Sequence, residues 1–427
     1  MTPRTDPSPH QPDDTGETRA AGAPIRWGTA ATSSGTLGLS PRSDWSRWEA
    51  DGRLPRSRDG SGFGVDFATD LELLAELGLT TLRWGLDWAR LEPWPGRWDT
   101  DAADMVTEVL QAARRVGVDV WAVLHEGPLP GWFSEDEGGF GSDEGRRRTW
   151  PRHVDRVAEA FGDLVAGWVP VLDPYTRAAE GHLHGTRPPG GRDPEAFVDT
   201  LRDLHLVSHE AWRLLRSGEP PVATCIDVAP LHPDRRSRHP EERAAAVARA
   251  GEIDRLRSGM WARALTEGLL ATPGRGEFEV AGLAGAYDVI GFTFRGARTV
   301  FADGTTGPYP ADAPVAADGT APWPEELGVA VRRLAEQHPG RPLALLGTGL
   351  VASEDDWRTE VAAGTVAEVR GARADGLPLG LALWETGIDG WNPITGLDVP
   401  DGLVDRARHP RLSAAVLATA AGRRPPA

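Results

Sequence analysis

The chain has 427 residues, of which 40% are hydrophobic and 26% charged, with a net charge of −17 and a pI near 5.1. So acidic a chain argues against nucleic acid and against an anionic membrane surface as partners. No stretch approaches the ~18 consecutive apolar residues that a membrane-spanning helix needs.

All 46 basic side chains other than histidine are arginine, because the sequence contains no lysine. Cys225 is the single cysteine, so no internal disulfide can form and a cytoplasmic setting is expected. Residues 1–24 carry Asp and Glu and lack the apolar core of a signal peptide, which predicts a disordered tail. The remainder, 25–427, is long for one ordinary domain but suits a single α/β barrel.

From residue 25 onward, short apolar runs alternate with amphipathic ones. A strand is expected at 25–31, then a helix in which Phe67, Leu71, Leu74 and Leu77 share a face and which ends at Gly78. Strand 79–86 leads to a helix carrying Val106, Val109, Leu110 and Ala113, ended by Gly117. Strand 118–126 precedes a helix built on Val154, Val157, Phe161 and Leu164. Strand 168–173 follows, with Pro170 a weak point in it. The remaining strands are expected at 221–228, 287–294, 342–347 and 378–385. Helices are expected between them, a long one over roughly 241–270, and a last one at about 410–421. Eight strands, most followed by a helix, predict a (β/α)₈ TIM barrel. A doubly wound open sheet is the alternative, but no G-x-G-x-x-G follows the first strand.

In such a barrel, chemistry sits at the C-terminal strand ends. The tips to inspect are therefore Arg83, His125 and Glu126, Asp173, Thr293 to Arg295, Gly347, and Trp384 with Glu385. The 17 tryptophans add a second hint, since indole rings beside loop carboxylates suit sugar faces and hydroxyls.

Several segments carry a resemblance at these tips. They are "LLAELGLTTLRWGLDWARLEPWPGRWD" with Arg83, Trp88, Arg90 and Pro93; "VLHEGPLPGWFSEDEGGF" with Pro130, Trp132, Gly138 and Gly139; and "WVPVLDPYTRAAEGHLHGTRPPG" with Trp168, Pro174, Gly181 and Gly185. "YDVIGFTF", "DDWR" and "GLALWE" extend the series. In this order they resemble family 1 glycoside hydrolases, the β-glucosidase-like retaining enzymes, from about residue 25 to 420. The resemblance implies a barrel that takes a glycoside or sugar as its small-molecule partner, with neither cofactor nor metal. It leaves the oligomeric state open.

At the site itself the sequence departs from that family. The family carries Asn-Glu before Pro at the fourth tip, where this chain has Leu172-Asp173. The seventh strand of the family ends Thr-Glu-Asn-Gly; here Leu346-Gly347-Thr348-Gly349 puts Gly347 in the nucleophile's place. The family's sugar-binding Gln falls at about Gly35, its His at Glu126, and its sixth-strand Asn and Tyr at Thr293 and Arg295. Arg83, which in the family lies beside the nucleophile, is kept. So is Trp384, expected at the floor of the sugar site, while Trp391 is expected either at the entrance or packed under a loop.

Retaining hydrolysis uses two carboxyls about 5 Å apart. Gly347 cannot attack, and Asp173 is one methylene shorter than Glu, so ordinary retaining activity is expected to be lost. Three readings stay open: a sugar-binding pseudoenzyme, a weak glycosidase, or an enzyme of altered mechanism in which Glu126 and Asp173 act as acid and base on an anionic sugar. Arg83 and Arg295 either bind an anionic group of the ligand or join an internal ion pair, with Glu126 the expected counter-ion. Asp173 either titrates with Glu126 or caps the turn before Pro174. Glu385 is set aside, since alternation aims it away from the face of Trp384. His182 and His184, like His205 and His209, lack the further ligands of a zinc site. Cys225 reads as core.

Overall fold

The computed structural model describes residues 24–424. The tail expectation, apart from Pro24, lies outside the described residues. Eight parallel strands form the inner ring: β1 Arg26–Ala31, β2 Thr81–Gly85, β3 Asp119–His125, β4 Gly167–Val171, β5 Ala223–Val228, β6 Val289–Phe294, β7 Leu343–Gly349 and β8 Leu379–Glu385. Their order is β4-β3-β2-β1-β8-β7-β6-β5, and a parallel bridge between Trp168 and Val222 brings β4 against β5. The expected barrel is therefore the observed one. β4 contains Pro170, which donates no ladder hydrogen bond, and the strand forms nonetheless.

The outer layer is helical: α1 Phe63–Glu76, α2 Thr100–Arg115, α3 Trp150–Phe161, α4 Pro194–Leu215, α5 Pro240–Asp254, α6 Met260–Glu267, α7 Glu325–Gln337, α8 Asp355–Ala374 and α9 Leu412–Ala420. α2 shows how local sequence sets these helices. The Asp99 carboxylate accepts from the Ala102 N–H at 3.0 Å and caps the start. Val106, Val109, Leu110 and Ala113 bury one face, and Gly117 follows the end with φ 74°. The helix expected over 241–270 is instead divided. A widened turn over 255–259 separates α5 from α6, and Gly268 at φ 77° ends the run. A hairpin of Leu269–Thr272 and Gly276–Glu279 follows.

Two cores result from strands buried on both faces. Between ring and helices lies a large cluster that includes Trp84, Trp168, Phe292, Ala382 and Trp384. Inside the ring lies a smaller one of Ala30, Trp121, Val123, Val169, Leu172, Ala223, Cys225, Ala344, Leu346, Leu381 and Leu383. The inner core closes the barrel below the strand tips and gives the site its floor.

Candidate active site

A cavity of about 840 Å³ opens at the C-terminal ends of the strands. Glu126, Leu172, Asp227, Arg295 and Glu385 line it near the ring, with Trp45, Tyr175, Arg177, Arg187 and Trp391 further out.

Its centre is Glu385. Leu381 and Leu383 belong to the inner core, so alternation along β8 turns Glu385 inward as well. Ala382 and Trp384 face the helices. Trp384 is thus not the floor of the cavity. Its ring is 2% exposed among outer-core residues, and Nε1 has no partner. Alternation did set Glu385 opposite Trp384, but the inward face is that of Glu385.

β1 lies between β8 and β2, and its Ala30 is in register with both Glu385 and Arg83. Registered residues on parallel strands share a face, and the small Ala30 leaves a path across β1. Arg83, 0% exposed, uses it to donate from Nη2 to Glu385 Oε1. Arg295, just past the end of β6, donates from Nη1 to Oε2. Burial pushes the Glu385 pKa up, but Arg295 and then Arg83 outweigh it and hold the carboxyl below its ordinary value. Glu385, not Glu126, is the counter-ion of both arginines.

The same carboxylate fills the space before Gly347. The β7–β8 register shifts between Leu345 and Thr348, which places Gly347 in an irregular stretch. A Cβ on Gly347 would lie 2.7 Å from Glu385 Oε1 and 3.3 Å from Thr293 Cγ2. The side-chain volume that a residue at 347 would claim is therefore occupied by a carboxylate from the neighbouring strand.

Glu126 sits directly after β3 and reaches over Gly85. A Cβ on Gly85 would fall 2.1 Å from its Oε1, so only glycine admits it there. Oε1 accepts from both the N–H and the hydroxyl of Ser33, whereas Oε2 is buried without a partner. Burial raises its pKa to about 7 against the lowering by Ser33 and Arg83.

Asp173 is not on the cavity wall, which is formed there by Leu172. The residue has φ 49°, and its carboxyl turns down into the ring, 1% exposed. Thr293 Oγ1 lies 2.8 Å from both of its oxygens, and the Cys225 thiol donates to Oδ1 at 3.8 Å. Its side chain makes no cap hydrogen bond at the turn Pro174–Ala178 that follows. Burial, then the nearby Asp227, raises its pKa to about 6. Thr293, 0% exposed, is likewise below the cavity and holds Asp173. The expected Glu126–Asp173 pair is therefore not a pair facing one ligand.

His125 points at Phe140, with ring centres 5.2 Å apart, and burial and then Arg177 push its pKa down to about 3. It does not line the cavity. Trp391 does, and its Nε1 donates to the Pro55 carbonyl at 3.1 Å. His205 stacks on Trp261 and His209 on Trp212. Among the described residues no three His, Cys, Asp or Glu side chains are grouped to hold a metal ion, and no helix is long and apolar enough to cross a membrane.

Residues 60–293 match the family model for Glycosyl hydrolase family 1. Beta-glucosidase A of Thermotoga maritima is 27% identical over 149 residues, covering 34% of this chain and 33% of that protein. Klotho of Homo sapiens is 28% identical over 160 residues, 36% of this chain and 15% of its own length. The aligned segments thus span a third or less of these relatives. Among solved structures, a beta-glycosidase from Pyrococcus horikoshii superposes with a TM-score of 0.84 at 22% identity, covering 93% of both chains. The Thermotoga maritima beta-glucosidase in complex with glucoimidazole gives 0.79 at 17% identity, covering 92% of this chain and 97% of that one. At these identities the structural likeness is one of fold.

Proposed function

The chain belongs to glycosyl hydrolase family 1, and from that premise we propose that it cleaves a glycoside with two carboxyls placed on other strands than the family's, Glu385 and Glu126. The observation that carries this reading is the Glu385 carboxylate, set in front of Gly347 and held ionised by Arg83 and Arg295. The family resemblance leaves position 347 without a nucleophile; the neighbouring strand supplies an anion to the same space.

Each part has a physical task. Each Glu385 oxygen accepts one guanidinium N–H, so each keeps a lone pair for attack on the anomeric carbon. Glu126 carries its proton on Oε2, since Oε1 is taken by two donors, and a pKa of about 7 leaves a large protonated fraction near neutrality. In the first step the Glu385–C1 bond forms, the bond from C1 to the leaving oxygen breaks, and the Glu126 proton passes to that oxygen. In the second, water attacks C1, its proton returns to Glu126, and Glu385 leaves as the carboxylate. That the Thermotoga maritima beta-glucosidase of the same fold is in complex with glucoimidazole supports a sugar-like ligand here.

An activated fluorosugar aryl glycoside tests the reading. Phenol release followed by a sugar adduct on Glu385, found by peptide mass spectrometry, is expected. A melting shift with neither release nor adduct would sink it and leave Glu385 as an internal counter-ion in a glycoside-binding pseudoenzyme.

A further inference from the structure

Across the ring from β8 stands β4, and the segment after β4 adds a second group of arginines to the cavity wall. Arg177 lies on the turn Pro174–Ala178, and Arg187 follows at the end of the same excursion. Glu180 lies 3.2 Å from Arg177 Nη1 and is its ion-pair partner. Arg187 is 7% exposed and donates from Nη1 to the Thr186 carbonyl at 2.7 Å. Among the described residues no carboxylate lies within ion-pair distance of it. The Nε atoms of both arginines are buried without a partner. Burial, with help from the neighbouring Arg177, lowers the Arg187 pKa against the pull of Glu180.

Trp45 completes this wall. The Arg187 guanidinium carbon is 5.6 Å from its ring centre. Trp45 and Arg177 also pack on one glycine: a Cβ on Gly127 would meet the indole at 3.1 Å and Arg177 Nη1 at 3.3 Å. An aromatic face, two guanidiniums and one carboxylate thus leave one positive charge uncompensated, on a side chain nine-tenths buried at the cavity wall. Water is a poor substitute for an anion at such a site.

We propose that Arg187 and Arg177, beside Trp45, form a subsite for an anionic group, a carboxylate or a phosphate, on the leaving portion of the glycoside. The arginine fork suits both anions. The anion is not assigned to Arg83 and Arg295, because each already donates to a Glu385 oxygen and Asp173 and Asp227 add further negative charge around Arg295. The placement opposite Glu385 puts the charge on the part of the ligand beyond the bond that breaks, and a volume of about 840 Å³ has room for both parts. Which part carries the charge rests on the reading of Glu385 as the reacting group; the existence of the subsite does not.

The test is therefore a binding measurement on uncleavable ligands. Titration calorimetry compares phenyl thioglycoside, its para-carboxy analogue and its para-phosphoryl analogue on wild type, Arg187→Gln, Glu180→Gln and Glu385→Gln. The acidic ligands are expected to bind wild type about tenfold or more tightly than the neutral one, the worth of one charged hydrogen bond. Arg187→Gln should erase that preference, and Glu180→Gln should increase it by removing the local carboxylate. Glu385→Gln should not lower it, since freeing Arg83 and Arg295 can only add attraction for an anion. Equal affinity of wild type for neutral and acidic ligands overturns the proposal. So does a preference that survives Arg187→Gln and ignores Glu180→Gln. The carboxy and phosphoryl arms show which anion the site takes. Absence of wild-type turnover on the cleavable aryl glycoside, with the preference intact, would count against the catalytic reading alone.

Discussion

If Glu385 occupies the space that a side chain on Gly347 would claim, the two positions must be thermodynamically coupled. Glu385→Ala, Gly347→Glu and the double variant make the cycle. Removing Glu385 strands the buried Arg83 guanidinium and the partly exposed one of Arg295, and breaking a buried pair such as that of Arg83 costs ~3–5 kcal/mol. Unfolding entropy of ~2 cal/mol/K per residue over about 400 residues converts that to a fall of about 4–6 °C in Tm. Gly347→Glu alone should also destabilise, since its Cβ would meet Glu385 Oε1 at 2.7 Å and Cδ at 2.9 Å. It also brings a second carboxylate to one pair of arginines; crowding of this kind costs ~1–3 kcal/mol. The backbone is no obstacle, as Gly347 is not among the positive-φ glycines. In the double variant the new carboxylate enters the vacated space and regains Arg83 and Arg295. It should therefore be more stable than Glu385→Ala by several degrees, though each single change destabilises. Thermal scans at a fixed rate, backed by denaturant midpoints, read the cycle. Additivity within ~0.5 kcal/mol would refute the shared space, because independent sites add to that precision.

Four shorter predictions complete the set. The Glu126 pKa is raised to about 7, so a proton donor at that position is active below this pH and lost above it; kcat/KM should fall above neutrality, and Glu126→Gln should abolish that limb along with most of the rate. His205 is buried on Trp261 with its pKa pushed down to about 3 by burial, so the unfolded chain binds its proton first and stability is lost as pH falls below ~6.5; His205→Phe should flatten the acid limb of urea midpoints relative to wild type. Trp384→Phe should lower stability by ~1–3 kcal/mol but change thioglycoside affinity less than twofold, since the ring faces the helices. Cys225 is 2% exposed with its thiol pKa raised by burial, and a thiol reagent should label it only after denaturation.

The barrel was legible because its signals are local and repeated. Helical faces such as Val106–Val109–Leu110–Ala113 and the glycines that end them read directly from spacing, and so did the apolar strands, whose prolines other than Pro170 stand at the first position. The site was less legible, for identifiable reasons. β8 is apolar on both faces, Leu381 and Leu383 on one and Ala382 and Trp384 on the other, so periodicity fixes which residues share a face but not which face is inside. The family resemblance points Trp384 inward, which sets Glu385 on the other face. The irregular register at Gly347 and the left-handed backbone of Asp173 are tertiary features without a sequence signature here. One signal was available: Arg83 survived without its expected partner, and a buried arginine requires a carboxylate somewhere. Glu126 was the nearest candidate by strand order, but its Oε1 is bound to Ser33.

That a carboxylate can move one strand over without loss of its arginine follows from the geometry of a parallel ring. Adjacent strands lie about 4.8 Å apart, and a glutamate side chain reaches about as far. Position 347 and position 385 therefore address one volume from two sides, provided that only one of them carries a side chain. Gly347 meets that condition, the irregular β7 register brings it beside Glu385, and Ala30 opens the path from Arg83. Arg295 then supplies a second charge to hold an anion on a longer lateral approach. The residues at 295, 347 and 385 make physical sense only together: Glu385 beside a side chain at 347 collides, and Gly347 without Glu385 leaves Arg83 buried and unpaired. The cycle above measures that interdependence, and a site that had merely decayed would show none.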